Sequence, residues 1–106
     1  MHFVVIGKDR GDLRRARRAA HLEYVEGRQQ SILYAGPLIE QGRMIGSIFI
    51  FALPDRAALD AYLAEDPYFA GGGIFGAVEI YESRRMVPEV APGFLRAEAD
   101  RARTQE

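Results

Sequence analysis

The sequence predicts an α+β domain of the ferredoxin-like kind: βαββαβ, a four-stranded antiparallel sheet with two helices on one face. Three observations lead there. Four short runs, HFVVIG, SILYAGP, MIGSIFIFAL and IFGAVEIYE, are rich in β-branched and aromatic residues and have strand lengths. Two segments of helical periodicity follow the first and the third of these runs. The second and third runs are separated only by LIEQGR, the length of a hairpin connection, which makes the order the split βαβ arrangement.

The first strand closes at Gly7, and KDRGD connects it to a helix that Asp12 is placed to cap. Arginine, alanine and glutamate favour helix from Leu13 to about Arg28. Leu13, Ala16, Ala20 and Tyr24 recur at three- and four-residue spacing and are expected to face the sheet, and Gly27 is placed to end the helix. Gly36 and Pro37 stop the second strand, and Gly42 sits at the hairpin tip. In the third strand Ile45, Phe49 and Phe51 share a side, with Ser47 among them. Asp55 after Pro54 caps the second helix, whose buried stripe is Ala58, Leu59, Tyr62 and Leu63. In the fourth strand Ile74, Val78 and Ile80 are apolar and Glu79 points the other way.

Two helices on one face leave the other face of the sheet bare, with Phe3, Val5, Tyr34, Phe49 or their neighbours on it. A contiguous apolar face of that size is rarely left to water. The expectation is a homodimer formed through sheet faces. Residues 1–83 form the domain. Residues 84–106 change composition, with two prolines and then a charged helical run, and read as a tail that is frayed or laid across the partner subunit.

With 106 residues the chain holds one compact domain. It has no cysteine, which excludes disulfides and thiolate metal sites. No apolar run approaches the ~20 residues of a membrane helix, and HFVVIG has neither the length nor the basic lead-in of a signal peptide. The expected compartment is the cytoplasm, with no membrane partner. A net charge of −1 gives no bulk attraction to nucleic acid. Charge is nonetheless uneven: +3 over residues 1–30, −5 over 31–83 and +1 over 84–106, so cations gather on the first helix.

His21 lies inside that helix, three residues after Arg18 and four after Arg17. Guanidinium groups one turn away favour the neutral imidazole, the form a general base needs. The bland reading is a boundary histidine. Asp66 ends the second helix, where a negative charge opposes the backbone dipole at a cost of roughly 0.3–1 kcal/mol. Pro67 keeps Asp66 out of the α region, so its carboxylate leaves the helix axis. The bland reading here is a cap, with Asp66 capping and Pro67 opening a further helical turn; both readings can hold. Gly71, Gly72 and Gly73 match no phosphate-binding fingerprint and read as slack or as a pocket wall. Ser47 lacks a nucleophile-elbow context, and two histidines spaced as His2 and His21 make no metal site. Arg14, Arg15, Arg17 and Arg18 read as a mostly solvated face from which one or two cations attract an anionic substrate.

The segments RRAAHLEYVEG, ILYAGPL, GSIFIF and AEDPYFAGGGIF, in that order and spacing, resemble the YCII (YciI-like) domain family over roughly residues 1 to 83. The resemblance implies a ferredoxin-like fold and a dimeric α+β barrel. It implies that His21 and Asp66, which match the family's helix-one histidine and the aspartate of its DPY motif, are the catalytic pair. Gly36, Pro37, Gly46 and Ser47 match further family positions. A dehydrochlorinase among the relatives, and muconolactone isomerases on the same fold, imply proton transfer next to a carbonyl or phenol without a cofactor. The first expectation is therefore a cofactor-independent lyase or isomerase acting on a small cyclic or aromatic metabolite. His21 would be general acid or base and Asp66 would orient it. Arg17 or Arg18 would hold an acidic group, and Gly36, Ser47 and Tyr68 would line the pocket. The rivals are a non-catalytic small-molecule-binding module and a structural dimer without a pocket.

Overall fold

The computed structural model describes residues 1–105; the last residue of the predicted tail, Glu106, lies outside the described residues. The elements are β1 (His2–Asp9), α1 (Leu13–Glu26), β2 (Ile32–Glu40), β3 (Arg43–Ala52), α2 (Arg56–Glu65), β4 (Phe75–Ser83) and α3 (Phe94–Thr104). All strand pairs are antiparallel and the sheet order is β2-β3-β1-β4. This is the ferredoxin-like arrangement. Among the described residues, no helix is long and apolar enough to cross a membrane.

β2 and β3 meet at a two-residue turn in which Gln41 and Gly42 both have positive φ, 52° and 76°. That geometry matches the natural twist of a hairpin, and it sets the register that pairs Glu40 with Arg43. The register puts Phe3, Val5 and Gly7 of β1 on one face with Phe51, Phe49 and Ser47 of β3. That face is buried under the helices, with Phe3, Val5, Phe49 and Phe51 all at most 3% exposed. α2 adds Leu59 and Tyr62, the segment between α2 and β4 adds Tyr68 and Ile74, and β4 adds Phe75.

The bare face therefore carries the neighbours of Phe3, Val5 and Phe49 and not those residues themselves. Of the four residues assigned to it only Tyr34 is there, paired with Ile50; beside them lie Val4, Ile6, Ile48 and Tyr81. β1 and β3 are apolar at successive positions, so alternation cannot say which side the helices take. Burying aromatic rings removes the larger apolar area from water, which favours the Phe3–Phe49–Phe51 side.

α2 forms as expected. Asp55 Oδ1 accepts the Ala58 N–H at 2.9 Å, and Leu59 and Tyr62 are buried between half-buried Ala58 and Leu63. α1 does not. Asp12 stands at the N-cap position without a side-chain cap bond, and Leu13, Ala16 and Ala20 are exposed. The stripe turned inward is Arg14, Arg17, His21 and Tyr24, again at three- and four-residue spacing. Burying an alanine methyl contributes only about 0.8 kcal/mol. Charge-assisted hydrogen bonds contribute roughly 1.5–3 kcal/mol each, and every one of those polar side chains finds a partner beneath it.

Candidate active site

The site lies where the inner stripe of α1 crosses β3 and the connection from α2 to β4. That connection begins at Asp66, whose φ and ψ of −71° and 124° leave the helical region just before Pro67. Backbone N–H groups of Phe69 and Ala70 both donate to Asp66 O, at 2.8 Å each. The chain then reverses through Gly71, Gly72 and Gly73, with φ of 58°, 87° and 58°. Gly73 is confined further, because a Cβ there would sit 2.6 Å from Tyr68 O. The reversal lets the Ile74 N–H reach Tyr68 O at 3.0 Å and closes the loop on itself. The glycines thus serve the turn, and none of them lines the cavity beside His21.

Asp66 is fully buried. Its Oδ1 accepts the Tyr68 N–H at 2.9 Å and contacts His21 Nδ1 at 2.7 Å. A carboxylate only accepts, so Nδ1 carries the proton and Nε2 of the neutral ring carries the lone pair. One aspartate therefore caps its own turn and orients the imidazole. The His21 ring is 3.6 Å from the Tyr68 ring, centre to centre and nearly parallel, and edge-on to Phe49 at 5.8 Å. Three neighbours fix its position. Arg17 donates to Pro67 O at 3.3 Å and to Ala70 O at 3.1 Å, tying α1 to the same turn.

One turn before Arg17 on the same stripe is Arg14. Its guanidinium grips Asp9 by two bonds of 2.7 and 2.8 Å and donates to Ser47 Oγ at 2.9 Å. The hydrogen bonds it donates to Asp9 raise the Arg14 pKa against the opposing effect of burial, so this cation is permanent. It lies 5.1 Å from the centre of the Tyr68 ring. Burial raises the Tyr68 phenol above its ordinary range, while Arg14 and then Arg18 pull it back. Tyr68 thus remains a hydroxyl donor at neutral pH. Burial, followed by the Asp66 charge, holds the Tyr62 phenol far above its ordinary value. Tyr62 Oη and Asp66 Oδ2 are the two buried side-chain polar atoms without a hydrogen-bond partner among the described residues.

A cavity of about 190 Å³ opens against this group, lined by His21, Tyr68, Ser47, Phe49, Arg14 and Arg18, with Ala35, Gly36 and Pro37 of β2 opposite. Of the residues read from the sequence, the structure brings His21, Asp66, Tyr68, Ser47, Gly36 and Arg18 to this place. Arg17 does not line the cavity; its guanidinium holds two backbone carbonyls, so it supports the wall instead of facing a ligand. Asp9 is the member the sequence reading missed, and Arg14 was read only as one of four arginines on a mostly solvated face. The available signal was the spacing of Arg14, Arg17 and His21, which places them on one helical face.

A family model of the YCII-related domain matches residues 1–84. The chain belongs to that family. Its YCII fold is similar to the solved structure of 5-chloro-2-hydroxyhydroquinone dehydrochlorinase (TftG) from Burkholderia phenoliruptrix AC1100 in complex with 2,5-dihydroxybenzoquinone. The TM-score is 0.74 at 26% identity, over 84% of this chain and 99% of that one. A structure of an antibiotic biosynthesis monooxygenase has a TM-score of 0.49 at 19% identity, over 79% of this chain and 98% of that one. Comparison with curated protein sequences returns no match.

Proposed function

We propose that this YCII-related chain is a cofactor-independent acid–base enzyme, a lyase or isomerase acting on a small cyclic or aromatic metabolite. The observation that carries the reading is the contact of His21 Nδ1 with buried Asp66 at 2.7 Å, made beside a cavity that His21 itself lines. The dehydrochlorinase activity named for the similar TftG structure supports it.

In this reading His21 Nε2 takes a proton from a carbon or hydroxyl next to a carbonyl. The C–H or O–H electron pair moves into the ring system as an enolate or phenolate. Asp66 stabilises the imidazolium through Nδ1–H. Tyr68 Oη and the fixed Arg14 cation face the negative charge that develops on the substrate oxygen. In an isomerisation the proton returns from Nε2 to a different ring atom. In an elimination the electron pair expels the leaving group as an anion, and the proton on His21 passes to water. Acid–base help of this kind contributes about 10²–10⁴-fold. The chain's own residues move the proton, so the reading requires no metal or cofactor. The active unit is a homodimer, since the sheet face bearing Val4, Ile6, Ile48 and Ile50 also carries the exposed rings of Tyr34 and Tyr81.

The test is hydrogen–deuterium exchange of enolisable ring compounds in D2O, followed by proton NMR, with 2,5-dihydroxybenzoquinone and cyclic ketones as the panel. The wild-type chain should exchange at least one member, and His21→Gln should slow it about 10²-fold or more. Ring compounds that shift the His21 signals without any exchange would instead establish the non-catalytic binding module.

A further inference from the structure

The cavity beside His21 adjoins a much larger cleft of about 1180 Å³, the two sharing Arg14, Arg18, Leu22 and Met44 as lining residues. Their sizes and charges differ. An apolar cavity of about 150 Å³ holds a benzene ring, so the inner space of about 190 Å³ takes one ring with small substituents. The outer cleft is lined by Arg14, Arg15, Arg18 and Arg43 against Asp9 and Asp12. Arg14 and Asp9 neutralise one another through two short bonds. Three arginines and one aspartate remain, a local excess of two positive charges in a chain whose net charge is −1.

Arg18 stands at the junction. It lines both spaces, is exposed, and has no hydrogen bond or ion pair among the described residues. It lies one turn of α1, a rise of about 5 Å, on the N-terminal side of His21. A ring seated against His21 and Tyr68 therefore directs a short substituent toward an uncommitted guanidinium. Leu22 and Met44 supply an apolar wall along the way.

We propose that the outer cleft is an anion-arm site with Arg18 as its receptor, so that the ligand is a single ring bearing a short carboxylate- or phosphate-terminated arm. Arg15 and Arg43 add attraction at longer range. The inference rests on the inner cavity being the ring site of the proposed function, and it adds the arm, its short length and the choice of Arg18 over Arg17 as its receptor.

Two probes with the same ring separate the arm from the rest: 4-hydroxyphenylacetate, with an anionic arm, and 2-(4-hydroxyphenyl)ethanol, with a neutral one. Dissociation constants come from NMR titrations at low and high salt. The wild-type chain should bind the anionic probe about tenfold more tightly at low salt, the factor that about 1.4 kcal/mol of added attraction gives, and salt should shrink the difference. Arg18→Ala should bring the ratio near one by weakening the anionic probe more than the neutral one; the side chain is exposed, so the fold survives. Equal affinities in wild type, a ratio that persists in Arg18→Ala, or failure of both probes to bind at millimolar concentration would overturn the arm site. The acid–base reading fails separately. An arm preference accompanied by no isotope exchange anywhere in the panel keeps the anion site and removes only the catalytic role of His21.

Discussion

α1 and α2 lie on the same face of the same sheet and bury their stripes in opposite ways. α2 contributes Leu59 and Tyr62 to the hydrophobic core, fully buried or nearly so. α1 contributes no member to the buried core cluster, and its one buried residue is His21. Its inward stripe of Arg14, Arg17, His21 and Tyr24 is met by Asp9, Ser47, three backbone carbonyls and Asp66. The lesson is that one helix can hold the fold together while its neighbour is held in place by it. α2 packs on apolar area, which is non-directional. α1 is fixed by directional bonds, which position polar groups to a fraction of an ångström but stabilise less per residue.

Perturbations sharpen this division, beginning with the largest. Leu59→Ala should cost about 2–5 kcal/mol in urea unfolding while leaving the His21 ring signals of the folded chain in place. A loss of the His21–Asp66 contact in that variant would break the comparison, because it would make the α1 side depend on the packing of α2. Asp66→Ala comes next, at about 2–4 kcal/mol, since it orphans the Tyr68 N–H and removes the partner of His21. Asp66→Asn keeps an oxygen for both donors and should cost under about 1.5 kcal/mol on the scale of a single hydrogen bond, yet still impair exchange catalysis. Equal stability losses for the two variants would show that the pair is structural in weight.

Arg17→Ala should cost about 1–3 kcal/mol by stripping two carbonyls of a charged donor. Its mark is faster amide exchange through residues 68–74 with little change elsewhere. The smallest effect belongs to Tyr62→Phe, within about 1 kcal/mol at pH 7, because its hydroxyl has no partner to lose. The sign with pH follows from the raised folded-state value. Tyr62 keeps its proton in the folded chain while the unfolded phenol gives it up near pH 10. Its contribution to stability is therefore complete below about pH 10 and declines as pH rises further. Tyr62→Phe should make alkaline unfolding less steep, and an unchanged alkaline profile would show that this phenol is not the group that titrates.

Much of this molecule is legible as a string. Strand and helix order, Gly42 at the hairpin tip and the Asp55 cap are local features, and local features announce themselves in composition and spacing; the end of β2 did not, since the strand runs through Gly36 and Pro37 to Glu40. The α2 stripe was legible because leucine and tyrosine recur there without rivals. The α1 stripe was not. Its alanines look apolar and its arginines look solvated, and only partners distant in sequence reverse that ranking: Ser47 is 33 residues from Arg14, and Ala70 is 53 residues from Arg17. His21 and Asp66 could be nominated, but their 2.7 Å approach spans 45 residues.

The sequence by itself determined which segments become helix or strand and in what order they pair, because periodicity and turn chemistry act within a few residues. Only the tertiary structure decided how far α1 rotates about its axis, which face of the sheet is covered, and that Arg17 braces a turn while Arg14 and Arg18 face the cavity. Those choices depend on hydrogen bonds and buried area between segments far apart in the chain, and neither quantity exists until the segments meet.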